Sequence, residues 1–127
     1  MMILKIIWSE FAEKQLDEIY EYYQKNASPR IAKMLLKEII NELNKLIHSP
    51  LIGQEEELLK QREILYRYLV FKNYKLIYSV DIENGYIKIT DVFDTRQNPQ
   101  KIKRTKRKKL RMRKRVVKNL VYSRILD

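Results

Sequence analysis

The sequence has no cysteine, only two glycines and a single histidine among its 127 residues. Without cysteine there are no disulfide bonds, no thiolate nucleophiles and no cysteine-ligated zinc. Two glycines are too few for a glycine-rich phosphate-binding loop. His48 stands alone as a nitrogen ligand, and the acidic run Glu55–Glu57 falls in a predicted loop, where we expect it to be solvated. We therefore predict no metal site and no cofactor.

Long hydrophobic runs are also missing. No apolar stretch approaches the roughly 18 residues that a membrane-spanning helix requires. The first residues do not show the basic and then apolar pattern of a signal peptide. We expect a cytoplasmic protein with no membrane partner.

The net charge of +11 is very unevenly distributed. Residues 1–99 carry 14 Lys and Arg against 15 Asp and Glu, whereas residues 100–127 carry 13 Lys and Arg against one Asp. This division predicts a folded domain over 1–99 and a basic tail over 100–127. Like-charge repulsion favours a tail that is flexible or partly helical, and its cations suit nucleic-acid phosphates. The predicted phosphate contacts are Lys103, Arg104, Lys106, Arg107, Lys108, Lys109, Arg111 and Arg113.

The first half of the chain predicts a strand followed by two helices. Residues 3–8 are rich in β-forming side chains. Ser9 is a suitable N-cap, and apolar residues then recur at helical spacing to about residue 25. Ser28 and Pro29 restart the helical pattern, because serine caps a helix and proline fits its first turn. A helical hairpin is therefore expected.

The second half of the folded domain predicts a β-meander. Three runs over residues 63–71, 74–80 and 86–93 are rich in Tyr, Ile, Val and Phe. Lys72-Asn73 and Asn84-Gly85 separate them, and both pairs suit tight turns. The fold class is α+β, with the element order β-α-α-β-β-β.

A two-residue turn at Lys72-Asn73 places Val70 opposite Lys75 and thereby assigns the two faces of the sheet. One face is apolar, and we expect the helices to pack there. Its members are Leu65, Leu69, Phe71, Tyr74, Leu76, Tyr78 and Val80. Arg67 also falls on this face, so its guanidinium must reach the sheet edge.

The other face carries Tyr66, Tyr68 and Lys75. Exposed aromatic rings beside a cation can stack nucleic-acid bases or bind a peptide. Alternatively, this face is covered by the tail or by a partner protein. Arg96, which follows the last strand, has two possible roles as well: it can bind a phosphate or carboxylate of a partner, or it can pair with Asp91 or Asp94.

Five short motifs follow one another in this order. They are Trp8-Ser9-Glu10-Phe11-Ala12, Leu16-x-x-Ile19-x-x-Tyr22-Tyr23, Leu46-x-x-x-Pro50-x-x-Gly53, Tyr74-Lys75-Leu76-Ile77-Tyr78 and Val92-Phe93-Asp94-Thr95-Arg96-Gln97-Asn98-Pro99. With these motifs, residues 3–100 resemble the RelE/ParE superfamily of toxins from type II toxin–antitoxin systems. The resemblance implies a small twisted antiparallel sheet with the helical hairpin on one face. It also implies a role in plasmid stabilisation and a cognate antitoxin partner.

The resemblance leaves two targets open. The ParE branch inhibits DNA gyrase by binding it, whereas the RelE branch cuts mRNA on the ribosome with basic side chains. If this chain is a nuclease, the resemblance assigns catalysis to Lys75 and Arg96, with help from Arg67. The paired lysines of the nuclease branch are not present on the second strand, and no His or Tyr follows Arg96 before Tyr122.

These departures favour a ParE-like toxin whose Tyr66, Tyr68, Lys75 and Arg96 bind the target or the antitoxin. The first alternative is a RelE-like, ribosome-dependent mRNA endoribonuclease. The second is a non-toxic protein that binds nucleic acid through its tail. Whether the chain is an enzyme therefore stays open at this point.

Overall fold

The computed structural model describes residues 3–104 and the backbone of Met112 and Arg113. The helices and strands are β1 (Lys5–Ser9), α1 (Glu10–Asn26), α2 (Pro29–Asn44), β2 (Gln54–Glu55), β3 (Arg67–Phe71), β4 (Tyr74–Asp81), β5 (Tyr86–Asp94) and β6 (Met112–Arg113). Short 3₁₀ turns occupy Lys45–Ile47, Glu57–Leu59 and Pro99–Arg104. The α+β class, the helical hairpin and the β-meander are all confirmed.

The strands form one sheet in the order β2-β3-β4-β5-β1-β6. The sheet is mixed, so the prediction of a purely antiparallel sheet is wrong at one ladder. β1 runs parallel to β5, with Lys5 opposite Tyr86, while the other pairs are antiparallel. The chain passes through two helices and the antiparallel strands β2, β3 and β4 before it reaches β5. β1 and β5 are therefore not joined by a hairpin and need not be antiparallel.

Both helices begin where the sequence predicts. The Oγ of Ser9 accepts the Ala12 N–H at 2.9 Å, and the Oγ of Ser28 accepts the Ile31 N–H at 3.1 Å. Each bond satisfies one of the backbone donors that a helix start leaves unpaired. Pro29 occupies the first turn of α2, where its missing N–H costs nothing.

The main core lies between the helical hairpin and one face of the sheet. Val70 stands opposite Lys75, as predicted, and the turn between them holds Lys72 at a φ of 54°. The predicted apolar face is confirmed for the residues that lie in β3 and β4, but Leu65 precedes β3 and is exposed. The fully buried contributors from helices and sheet include Leu16, Leu36, Ile39, Leu43, Leu76, Tyr78, Ile87 and Ile89.

The opposite side of the sheet, called here the second face, has its own small core. It consists of Leu59, Ile77, Phe93 and Ile102. Two of these side chains come from 3₁₀ turns: Leu59 from Glu57–Leu59 and Ile102 from Pro99–Arg104. Ile102 is only 1% exposed. Residues 100–104, which composition assigns to the tail, therefore pack against the folded domain. Residues 105–111 and 114–127 lie outside the described residues.

A β-bulge in β5 determines which side chains reach the second face. Ile77 pairs with Asp91 while Tyr78 pairs with Ile89, so Thr90 is an extra residue in the ladder. A bulge shifts the alternation of side chains by one position. Ile89 therefore faces the helices, whereas Asp91 faces the second side of the sheet.

Candidate functional site

Lys75 forms an ion pair with Glu56 on the second face. Its Nζ lies 2.8 Å from Oε2 of Glu56 and 4.2 Å from the centre of the Tyr68 ring. The Glu56 side chain is 3% exposed, so the prediction that this acidic run is solvated is wrong at its middle residue. Burial is possible here because the lysine balances the charge and the Leu58 N–H donates to the other carboxylate oxygen. Lys75 is neutralised within the protein.

The tyrosines beside Lys75 pack against the protein's own loops. Tyr66 lies against the second-face core, with the guanidinium of Arg62 5.8 Å from its ring centre. Tyr68 contacts the same core and donates its hydroxyl to Oε1 of Gln54 at 3.0 Å. Residues 57–59 and 99–104 pack on this face and leave Tyr66 and Tyr68 half-buried.

Arg67 reaches the sheet edge, as predicted. Its Nη1 donates to the carbonyl of Gly53 at 2.9 Å. The same glycine donates its N–H to the Tyr78 hydroxyl at 2.9 Å, and that hydroxyl donates to the Pro50 carbonyl at 2.7 Å. A Cβ at Gly53 would stand 2.5 Å from the Tyr78 oxygen, so only glycine fits. Burial raises the pKa of Tyr78. Arg67 therefore acts as a structural tie to the loop before β2.

Arg96 pairs with Asp94. Its Nη2 lies 2.7 Å from Oδ2 and its Nε 3.0 Å from Oδ1, and Asn73 donates to the same carboxylate at 3.2 Å. Hydrogen bonds from Arg96 hold the pKa of Asp94 at about 2. The Arg96 side chain is nonetheless 64% exposed. It remains accessible to a partner in spite of this pair.

A cleft of about 270 Å³ separates α1 from the ends of β4 and β5. Tyr22 stands at this cleft and is 56% exposed, with the Tyr23 ring edge-on at 5.2 Å. The cleft is lined by Gln15, Glu18, Ile19, Tyr22, Tyr74, Val92, Asp94, Arg96 and Gln97. Tyr22 was not among the site residues predicted from the sequence. The feature of the sequence that marks Tyr22 is its position outside the apolar stripe of the first helix, where an aromatic ring is exposed.

Lys75 and Arg96 lie on opposite sides of the sheet. Lys75 shares the second face with Phe93 and Tyr68. Arg96 lines the cleft on the helix side with Tyr74 and Val92. The structure therefore does not bring the two cations together around one ligand.

Arg104, predicted as a nucleic-acid contact, is bound within the folded part. Its Nη2 lies 2.8 Å from Oδ1 of Asp91 and donates to Gln15 at 3.3 Å. The rings of Phe11 and Phe93 lie 5.1 and 5.2 Å from its guanidinium carbon. Burial raises the pKa of Asp91, and the arginine only partly offsets this effect. Arg104 is thus a structural residue.

Of the other predicted tail contacts, the structure describes Lys103 and the backbone of Arg113. The carbonyl of Lys103 accepts a hydrogen bond from Arg62, and Lys103 itself is exposed. Arg113 is described only by its backbone, which pairs with Trp8 of β1. Lys106, Arg107, Lys108, Lys109 and Arg111 lie outside the described residues.

Within residues 3–104, no group of three or more His, Cys, Asp or Glu side chains is placed to hold a metal ion. In the same range, neither helix is long and apolar enough to cross a membrane. Both findings concern the described part of the chain alone.

Comparison with known proteins identifies the family. No curated protein matches the chain. A solved structure described as the chromosomal ParDE TA system from P. aeruginosa matches with a TM-score of 0.60 and 18% identity, over 72% of this chain and 96% of that one. At this identity the likeness shows a shared fold. Residues 6–99 match the family model of the ParE toxin of the type II toxin–antitoxin system parDE. The chain therefore belongs to the ParE toxin family.

Proposed function

We propose that this type II toxin–antitoxin toxin inhibits growth by binding a target protein, and that the target is DNA gyrase. The gyrase assignment rests on the likeness to the ParE family. A cognate antitoxin neutralises the toxin in the cytoplasm by covering the same surface.

The separation of Lys75 from Arg96 is the observation that carries this proposal. Metal-free cleavage of RNA needs cations that converge on one scissile phosphate and stabilise its developing charge. Here the two cations lie on opposite sides of the sheet, and each is paired with a carboxylate of its own, Glu56 or Asp94. This arrangement supports binding rather than a RelE-like endoribonuclease.

The contact surface is centred on the cleft beside α1. Arg96 and Tyr22 are exposed there, and Arg and Tyr are the residue types that most often carry binding energy at protein interfaces. Tyr66, Tyr68 and Lys75 remain proposed contacts, which a partner can reach only where the loops leave them partly exposed.

The direct test is supercoiling of relaxed plasmid by purified gyrase, with and without the full chain. We expect the chain to inhibit supercoiling, and Arg96→Glu to weaken inhibition by about tenfold or more. Lys60→Glu serves as the matched control, because Lys60 is a solvent-exposed cation distant in sequence from the cleft. Co-expression with a candidate antitoxin should restore growth.

Two results would overturn this proposal. Unimpaired supercoiling by folded protein, together with cleavage of mRNA in a translating extract, would establish the endoribonuclease alternative. If a chain that lacks residues 105–127 stays folded but no longer inhibits growth, the tail and not the cleft carries the activity, as the nucleic-acid alternative requires.

A further inference from the structure

The outward side of α2 carries an unusual combination of cations and apolar side chains. Arg30, Lys33, Met34 and Lys37 follow helical i, i+3, i+4, i+7 spacing, so they share one face. That face, called here the basic α2 face, points away from the core, because Leu36 and Ile39 on the other side of the helix are fully buried. Met34 is 53% exposed.

Within residues 3–104, no carboxylate balances the three cations of this face. None of them takes part in an ion pair or hydrogen bond among the described residues. Glu38, on the flank of this face, is itself paired with Lys72 at 4.0 Å. The charge of the basic α2 face is therefore available to a partner.

The charge order along α2 is also the reverse of what stabilises a helix. α1 follows the helix-dipole rule, with Glu10 and Glu13 in its first turn and Lys25 in its last. α2 has Arg30 and no acid in its first turn, and no base in its last. A local arrangement that costs stability is expected mainly where a surface serves a function.

We propose that the basic α2 face binds an acidic, amphipathic helix of a partner protein. The cations attract the acidic side chains, and the exposed Met34 and Ile31 receive apolar ones. Met and Arg are enriched at protein interfaces, and methionine adapts its shape to different partners. Phosphate binding would need the cations but would give no role to the apolar side chains. The face is separate from the cleft at Arg96 and does not depend on the proposed target.

The test uses the ¹⁵N-labelled full chain and two probes. One is a helical peptide of about 16 residues with leucines along one face and glutamates on either side of them. The other is poly-L-glutamate of the same length, which lacks the apolar face. We expect amide shifts at residues 29–38 with the leucine-bearing peptide, at about tenfold lower concentration than with poly-L-glutamate.

Variants separate the basic α2 face from the basic tail. Lys33→Glu/Lys37→Glu should reduce affinity at residues 29–38 by about tenfold or more and leave shifts elsewhere unchanged. Lys14→Glu/Lys25→Glu, an equal charge change on α1, should have little effect there. Met34→Ser should weaken only the leucine-bearing peptide.

Three outcomes would overturn the proposal. Equal affinity of the two probes would show that apolar contacts do not contribute to binding. Unchanged binding by Lys33→Glu/Lys37→Glu would show that the basic α2 face is not the binding site. A DNA duplex that shifts residues 29–38 at lower concentration than the peptide would make this a nucleic-acid surface instead.

Discussion

The guanidinium of Arg104 lies over the buried carboxylate of Asp91. Its Nη2 stands 2.8 Å from Oδ1 and its Nε 3.2 Å from Oδ2. The Asp91 side chain is 1% exposed and that of Arg104 24% exposed. The pair joins a residue from the basic C-terminal segment to the middle of β5. The first part of that segment therefore belongs to the structural core of the second face.

Arg104→Ala should destabilise the protein by about 3 kcal/mol, because it leaves a buried carboxylate without its counter-ion. Urea denaturation of the full chain measures this difference. Lys103→Ala is the matched control, since it removes an exposed neighbouring cation and keeps the carbonyl that Arg62 contacts. Equal urea midpoints for the two variants would show that the pair contributes nothing.

Truncation after Arg104 should cost little stability, whereas truncation before it should cost much more. A chain ending at residue 104 keeps Ile102 and Arg104 in place, and we expect it to lose at most about 1 kcal/mol with the short β6 ladder. A chain ending at residue 99 loses both side chains. The cost of about 5 kcal/mol is comparable to the whole stability of a small domain.

Circular dichroism and urea denaturation distinguish the two chains. If the chain ending at residue 99 is as stable as the longer one, Pro99–Arg104 is not part of the fold. If both truncated chains unfold, residues beyond Arg104 are required for the stability of the fold.

Lys75→Ala should also act mainly on stability. It leaves Glu56 buried without its cation, at a cost of about 2 kcal/mol. Lys88→Ala provides the comparison, because Lys88 pairs with Asp81 at the surface, where such pairs contribute about 1 kcal/mol or less. Thermal and urea unfolding check both. If Lys75→Ala leaves stability intact, the role of Lys75 lies in a contact outside the protein.

The Asp94–Arg96 pair predicts a pH dependence of stability. The pKa of Asp94 is about 2 in the folded protein against 3.8 ordinarily, so ionised Asp94 stabilises the fold above about pH 4. This contribution disappears as the pH falls from about 4 to about 2. The urea midpoints of the wild type and Arg96→Gln should therefore differ at neutral pH and converge near pH 2.

The measurement requires low salt, because screening weakens an exposed pair. A gap between the two midpoints that stays constant down to pH 2 would contradict the assignment of this pH dependence to Asp94.

The sequence by itself determined the local structure. Ser9 and Ser28 stand just before apolar residues at helical spacing, and a side-chain cap depends only on near neighbours in the chain. Alternation around the turn at Lys72-Asn73 gave the correct partner for Val70 and the correct core face. These features could be predicted because their physical causes act over a few residues. The family resemblance in residues 3–100 depended in the same way on short motifs.

Tertiary structure decided the features that depend on residues far apart in the chain. The bulge at Thr90 turns Asp91 to the second face, where Arg104 pairs with it, and no local pattern marks the extra residue. Likewise, Glu56 in an acidic loop meets Lys75 only because the loop folds over the sheet. A charge can be buried only when its counter-charge is brought to it, and that depends on the whole fold. This is why composition indicated a solvated acidic loop and did not indicate the two ion pairs that Glu56 and Arg104 form in the structure.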